Sequence, residues 1–148
     1  MFKSLGLLLI VALIVFVADQ AIKTVFVDGF RHYTNCIDLI LVYNRGVAFS
    51  MFAFLAENLK WIQLALLVGV VGYTLWLKQK CYIIPVGIMI GGGFSNIFDR
   101  FIHGGVVDYV YWHCGFNFAV FNMADVLIDI AVVWLLILNY KPKYCEVK

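Results

Sequence analysis

Apolar residues in this chain come in long blocks, not in the alternation of a half-buried strand or the narrow stripe of a surface helix. Four blocks approach the roughly 20 residues that a helix needs to cross a bilayer. They cover about residues 5–27, 59–77, 81–98 and 118–140. The first carries Asp19, Gln20 and Lys23 in its second half, and the second is clean apart from Lys60 and Gln63 at its start. The third is rich in glycine and ends at Asp99 and Arg100, while the fourth has Asn122, Asp125 and Asp129 near its leading end. Between the first two blocks, CIDLILVY at 36–43 predicts a strand, and Asn44-Arg45-Gly46 follows as a turn. The stretch FSMFAFL at 49–55 is too apolar for an ordinary exposed loop. It is expected to rest on a membrane surface or line a groove.

Composition agrees with the pattern. Of 148 residues, 64% are hydrophobic and 14% charged, against about 25% charged in soluble domains. The expectation is an all-α membrane protein forming a single integral-membrane domain over residues 1–148, too short to add a large soluble unit. A net charge of +2 argues against a nucleic-acid partner. The N-terminal block also invites reading as a cleaved secretory signal, but no small-x-small site follows it and the apolar run continues past Asp19. Lys3, then Lys78 and Lys80 in a tight turn, then Lys141, Lys143 and Lys148 place both termini in the cytoplasm by the positive-inside rule. Residues 27–58 and 99–117 then face outward.

The four cysteines show neither CxxC nor zinc-like spacing with histidine, so no metal site is expected. Cys36 and Cys114 share the outer side, where a disulfide is open to them in an oxidising compartment. Free thiols are the default expectation.

Charges inside a span are costly, at least about 2.5–3.5 kcal/mol for an aspartate at a helix centre. Asp19 and Lys23 lie four apart on one helical face, which suits a pair that neutralises itself inside the bundle. In the third span Gly87, Gly91 and Ser95 form a small-residue face for close helix contact, with Gly92, Asn96 and Arg100 as the neighbouring row. Asp99 beside Arg100 permits a further ion pair. In the fourth span Asn122, Asp125 and Asp129 form one polar stripe, with Asp125 about 6 Å and Asp129 about 12 Å below the outer boundary. Asp129 at that depth is expected to be protonated or bonded to a partner. Asp108, in GGVVDY at 104–109, lies across the same short outer connection from Asp125. Two carboxylates crowded in a half-wet apolar setting cannot both ionise cheaply. Such a pair can supply a base to activate water and an acid to polarise a carbonyl. From spacing alone, a proton relay or plain structural capping stays open beside that reading.

Five blocks then carry a resemblance: DQAIK at 19–23, YNRGVAFS at 43–50, GGGFSNIFDR at 91–100, GGVVDY at 104–109 and FNMAD at 121–125. In order and over nearly the whole chain, they resemble lipoprotein signal peptidase (signal peptidase II), a family of aspartic endopeptidases in the bacterial inner membrane. The resemblance implies four transmembrane helices, a small extracytoplasmic β-cradle from the first outer segment, and a short outer helix between spans three and four. It implies cleavage of a diacylglyceryl-modified prolipoprotein before its lipid-bearing cysteine, by Asp108 and Asp125 as the catalytic pair. Supporting positions carry over to Asp19, Lys23, Asn44, Gly46, Asn96, Asp99, Arg100, Asn122 and Ala124. No cofactor is expected, membrane lipid is the surrounding partner, and the chain is read as a monomer. Two positions depart from the family's pattern: Arg45 stands for a usual threonine and Ser95 for a usual glycine. Asp129 lies outside the motif; one turn below Asp125, it could raise the pKa of the catalytic group. The competing readings are a small proton-coupled transporter, which would rely on Asp129, and a thiol oxidoreductase using Cys36 and Cys114.

Overall fold

The computed structural model describes residues 2–46, 56–141 and 145; the apolar stretch at 49–55 lies outside them. The chain runs α1 (Phe2–Val27), β1 (Ile37–Asn44), α2 (Ala56–Leu77), a 3-10 turn (Lys80–Tyr82), α3 (Ile83–Ile102), β2 (Val106–Trp112) and α4 (Met123–Tyr140). All four α-helices are long and apolar enough to cross a membrane. Leu9, Ile10, Leu13 and Ile14 stand exposed along α1, and Val133, Leu136 and Ile137 along α4. Lipid tails are as apolar as these side chains, so such a surface carries no penalty in a bilayer.

Helix α3 is the most buried of the four, and its glycines explain how. Successive residues on an α-helix point about 100° apart, so Gly91, Gly92 and Gly93 face three different neighbours. A Cβ on Gly91 would lie 2.5 Å from the Ala12 carbonyl oxygen of α1. One on Gly92 would lie 3.1 Å from the Ala124 carbonyl oxygen of α4, and one on Gly93 2.9 Å from the Leu67 side chain of α2. Three glycines in a row therefore let α3 take close neighbours on three sides. The row at 87, 91 and 95 serves α1, and the row at 92 and 96 serves α4.

The strands β1 and β2 pair antiparallel, with Asn44 opposite Val106, Val42 opposite Asp108 and Ile37 opposite Trp112. Gly104, at φ 71°, takes the left-handed conformation that ends α3 and is cheap only for glycine. A Cβ on Gly105 would lie 3.0 Å from the Asn44 carbonyl oxygen, so the second glycine lets β1 and β2 close up. After β2 the chain returns alongside it, Phe121 and Val110 exchanging backbone hydrogen bonds of 2.8 and 3.0 Å.

The structure corrects the expected elements in three places. No short outer helix lies between α3 and α4; residues 106–112, VVDYVYW, form β2, as β-branched and aromatic residues favour. The fourth helix begins at Met123 rather than at 118, because Phe121 is held at the sheet and Asn122 caps the helix. The third continues to Ile102, since its polar end finds partners inside the protein. The cysteines are paired as well, against the default of free thiols. Cys36 and Cys114 flank the opposed strand ends, their Cα atoms 4.4 Å apart, and Cys81 bonds Cys145 with Cα atoms 5.2 Å apart. Strand register accounts for the first bond, since Ile37 opposite Trp112 brings the flanking residues together.

Candidate active site

Helix α4 begins at the sheet, and each of its leading N–H groups has a named acceptor. Such groups lack partners within the helix and must find them elsewhere. Met123 N donates to the Tyr109 hydroxyl at 3.0 Å, and Ala124 N to Asp19 Oδ1 at 2.9 Å. Asp125 N donates to Asn122 Oδ1 at 2.9 Å, while Asn122 N donates back to Asp125 Oδ2 at 3.2 Å. This reciprocal capping box explains the asparagine and the first aspartate at the head of an otherwise greasy helix.

The same asparagine reaches the second carboxylate. Asn122 Nδ2 donates to Asp108 Oδ1 at 2.7 Å, and Asn44 Nδ2 donates to Asp108 Oδ2 at 3.0 Å. Asp125 Oδ1 accepts from Asn96 Nδ2 at 2.8 Å. Asp108 and Asp125 are thus held from both sides of Asn122, one by its side chain and one by its backbone. Both carboxylates line a single cavity of about 450 Å³ bounded by β1, α3, β2, the 118–121 segment and α4. Asp108 is only 2% exposed. Burial pushes its carboxyl up to about 7, the negative charge of Asp125 adds to the rise, and the bonds from Asn44 and Asn122 oppose it.

Behind this pair lies a second buried cluster. Lys23 Nζ is 2.7 Å from Asp19 Oδ2 and 2.7 Å from Asp99 Oδ2, and donates to Asn96 Oδ1 at 2.8 Å. Ser95 Oγ donates to Asp19 Oδ2 at 2.6 Å, Gln20 Nε2 to Asp99 Oδ1 at 2.8 Å, and Val107 N to Asp99 Oδ2 at 3.1 Å. Asp19, Lys23 and Asp99 are each at most 1% exposed. The self-neutralising pair expected within α1 is therefore a brace tying α1 to α3, to α4 through Ala124 and to β2 through Val107. Ser95 does there what a glycine could not, donating its hydroxyl.

The ion pair that adjacency permits between Arg100 and Asp99 does not form, because adjacent helical residues diverge. Arg100 Nε donates to Gln63 Oε1 at 3.0 Å, and its Nη1 and Nη2 donate to the carbonyls of Arg45 and Gly46. Gly46 N in turn donates to Asn44 Oδ1 at 3.0 Å, which leaves the Asn44 amide nitrogen aimed at Asp108. Ala124 is fully buried where α4 meets Gly92, a place with room for a small residue only. All eleven residues singled out from the sequence thus meet in one connected assembly. Sequence reasoning missed Gln20, Gln63, Ser95 as a donor, and Tyr109. Polar residues inside apolar blocks were the available signal for the two glutamines. Nothing local marked Tyr109, whose ring stacks 4.3 Å from that of Phe26. Asp129 lines the cavity, exposed and without a partner among the described residues; of the two expectations for it, a bonded partner or a bound proton, the first is not met there.

The family model described as signal peptidase (SPase) II matches residues 11–141. The chain belongs to the signal peptidase II family. It is similar to the lipoprotein signal peptidase of Sulfurimonas denitrificans, 67% identical over 144 residues that cover 97% of this chain and 94% of the relative. The lipoprotein signal peptidase of a Sulfurovum species is 54% identical over 141 residues, 93% of this chain and 95% of that one. That of Helicobacter pylori is 45% identical over 150 residues, 99% and 96%. Among solved structures, a bacterial membrane enzyme determined in meso at 2.3 Å superposes with a TM-score of 0.79 at 21% identity, covering 97% of this chain and 93% of that one. At that identity the likeness shows the fold alone, here four helices and a small sheet in a multi-pass membrane protein.

Proposed function

We propose that this protein removes signal peptides from prolipoproteins as an aspartic endopeptidase, with Asp108 and Asp125 as its catalytic pair. Membership of the signal peptidase II family supports the cleavage reaction and gives no support to a transporter. The aspartic mechanism rests on one observation: Asn122 holds Asp108 by its side-chain amide and Asp125 by its backbone N–H, at one cavity. The two carboxyls share a proton, and one of them is ionised at neutral pH. The ionised carboxylate takes a proton from a water while that water's oxygen bonds to the scissile carbonyl carbon. The protonated partner gives its proton to the carbonyl oxygen. Collapse of the tetrahedral intermediate breaks the C–N bond, a proton passes to the leaving nitrogen, and the pair regains its single shared proton.

The proposed substrate carries a diacylglyceryl group on the cysteine after the scissile bond. The proposed setting is the bacterial inner membrane, with both termini cytoplasmic and the site at the outer face. There the scissile bond of a membrane-held signal peptide meets water while the acyl chains stay in lipid. Asp19, Lys23, Asn96 and Asp99 brace the pair, and Asn44, Gly46 and Arg100 fix the loop that orients Asp108. The test is to incubate the purified protein with a diacylglyceryl-modified prolipoprotein and with its unlipidated counterpart. Cleavage of the lipidated form alone, lost in both Asp108→Asn and Asp125→Asn, is expected. Turnover by either variant at the parent rate would defeat the aspartic assignment.

A further inference from the structure

The cavity does not stop at the catalytic pair. Along α4 its wall continues past Ile128 to Asp129. The other carboxylates of this region are occupied at both oxygens: Asp19 by Ala124 N, Ser95 and Lys23; Asp99 by Gln20, Lys23 and Val107 N. Asp108 and Asp125 are likewise bonded at both. Asp129 alone among these five is open to the cavity and bonded to nothing among the described residues. A carboxylate set in an apolar helix without a partner is costly, so its position calls for a ligand.

Resting on the peptidase reading, we propose that Asp129 binds the substrate backbone, its carboxylate accepting an N–H of the signal peptide just upstream of the scissile bond. A signal peptide held in the membrane as a helix satisfies its own backbone. To present a scissile carbonyl to Asp108 and Asp125 it must unwind, and each residue drawn out brings an N–H into an apolar cavity. Such a group is expensive unless an acceptor waits for it. Asp129 follows Asp125 by four residues on one helix, about 6 Å along its axis. An extended peptide advances about 3.3 Å per residue. The acceptor therefore meets the N–H of about the second residue before the lipid-bearing cysteine. The requirement is for an oxygen at that place, so asparagine, which keeps one, substitutes in part and leucine does not.

The test uses the full-length protein and a lipidated prolipoprotein peptide, with ester oxygen replacing the backbone N–H at the first, second or third residue before the cysteine. For the parent enzyme, the second replacement is expected to lower kcat/KM roughly tenfold, the scale of one hydrogen bond to a charged group. Asp129→Leu is expected to lose about the same factor on the unmodified peptide, to be indifferent to the ester, and to keep the parent pH–rate profile. Asp129→Asn should recover most of the loss. Three results would overturn the proposal: unchanged kcat/KM in Asp129→Leu, a full ester effect persisting in that variant, or a shifted pH profile, which would mark Asp129 as acting on the charge of Asp125. Failure of the parent enzyme to cleave the unmodified lipidated peptide would instead strike the peptidase reading itself.

Discussion

Two pairs of aspartates sit side by side in this bundle and are treated oppositely. Asp19 and Asp99 share Lys23, and every oxygen of the two has a donor. Asp108 and Asp125 are held by neutral amides and one backbone N–H, and they face a cavity. In the first pair Lys23 offsets charge at close range and every oxygen is taken, so the cluster is structure. In the second the charge is left uncompensated at close range and space remains for a reacting group. Asn96 joins the two, accepting from Lys23 while donating to Asp125. Compensated charge makes a brace; uncompensated charge beside a cavity makes chemistry.

The contrast is sharpest in the aspartate variants. Asp108→Asn and Asp125→Asn are expected to lower cleavage by at least about 10²–10⁴-fold, the scale of general acid–base catalysis, with the protein still inserted and folded. Rate assays beside thermal melts of the same samples test that. Lys23→Met should do the reverse. It strands two buried carboxylates, for which loss of about 3–5 kcal/mol of stability is expected, read as a fall in Tm before any assay is run. A Lys23→Met protein as stable as the parent would show that the cluster does not depend on its cation.

Asn96→Ala removes the joint. Lys23 and Asp125 each lose one partner, and a loss of about 1–3 kcal/mol is expected, together with reduced cleavage at temperatures where the variant is folded. A further effect is in pH. Asp108 titrates near 7 in the folded protein and near its ordinary 3.8 when unfolded, so between those values the native state binds more protons than the unfolded one. This group's contribution to stability therefore falls as pH rises from about 4 to about 7 and is level above that. Asp108→Asn should flatten that part of the curve. A wild-type stability rising through the same window with no change in the variant would refute the buried, charge-crowded setting of Asp108.

The sequence alone determined the four helices, because nothing but a bilayer tolerates apolar runs of that length. It also marked a strand at 36–43 from its β-branched run, set at Ile37–Asn44 in the structure, and the charged and amide residues of the spans, too costly there to be idle; the roles of Asn44, Gly46 and Ala124 came from the family resemblance. Which of them pair was not legible. Adjacent letters suggested Asp99 with Arg100, and only the angle between successive side chains on α3 sends one to Lys23 and the other to Gln63 and the 45–46 carbonyls. The replacement of an outer helix by β2, the bonding of Cys36 to Cys114, and Asn122's reach to both carboxylates were likewise decided by the packed structure. Composition and periodicity fix where a segment can lie. Partners are chosen in three dimensions, where residues distant in the chain compete for the same few unsatisfied oxygens.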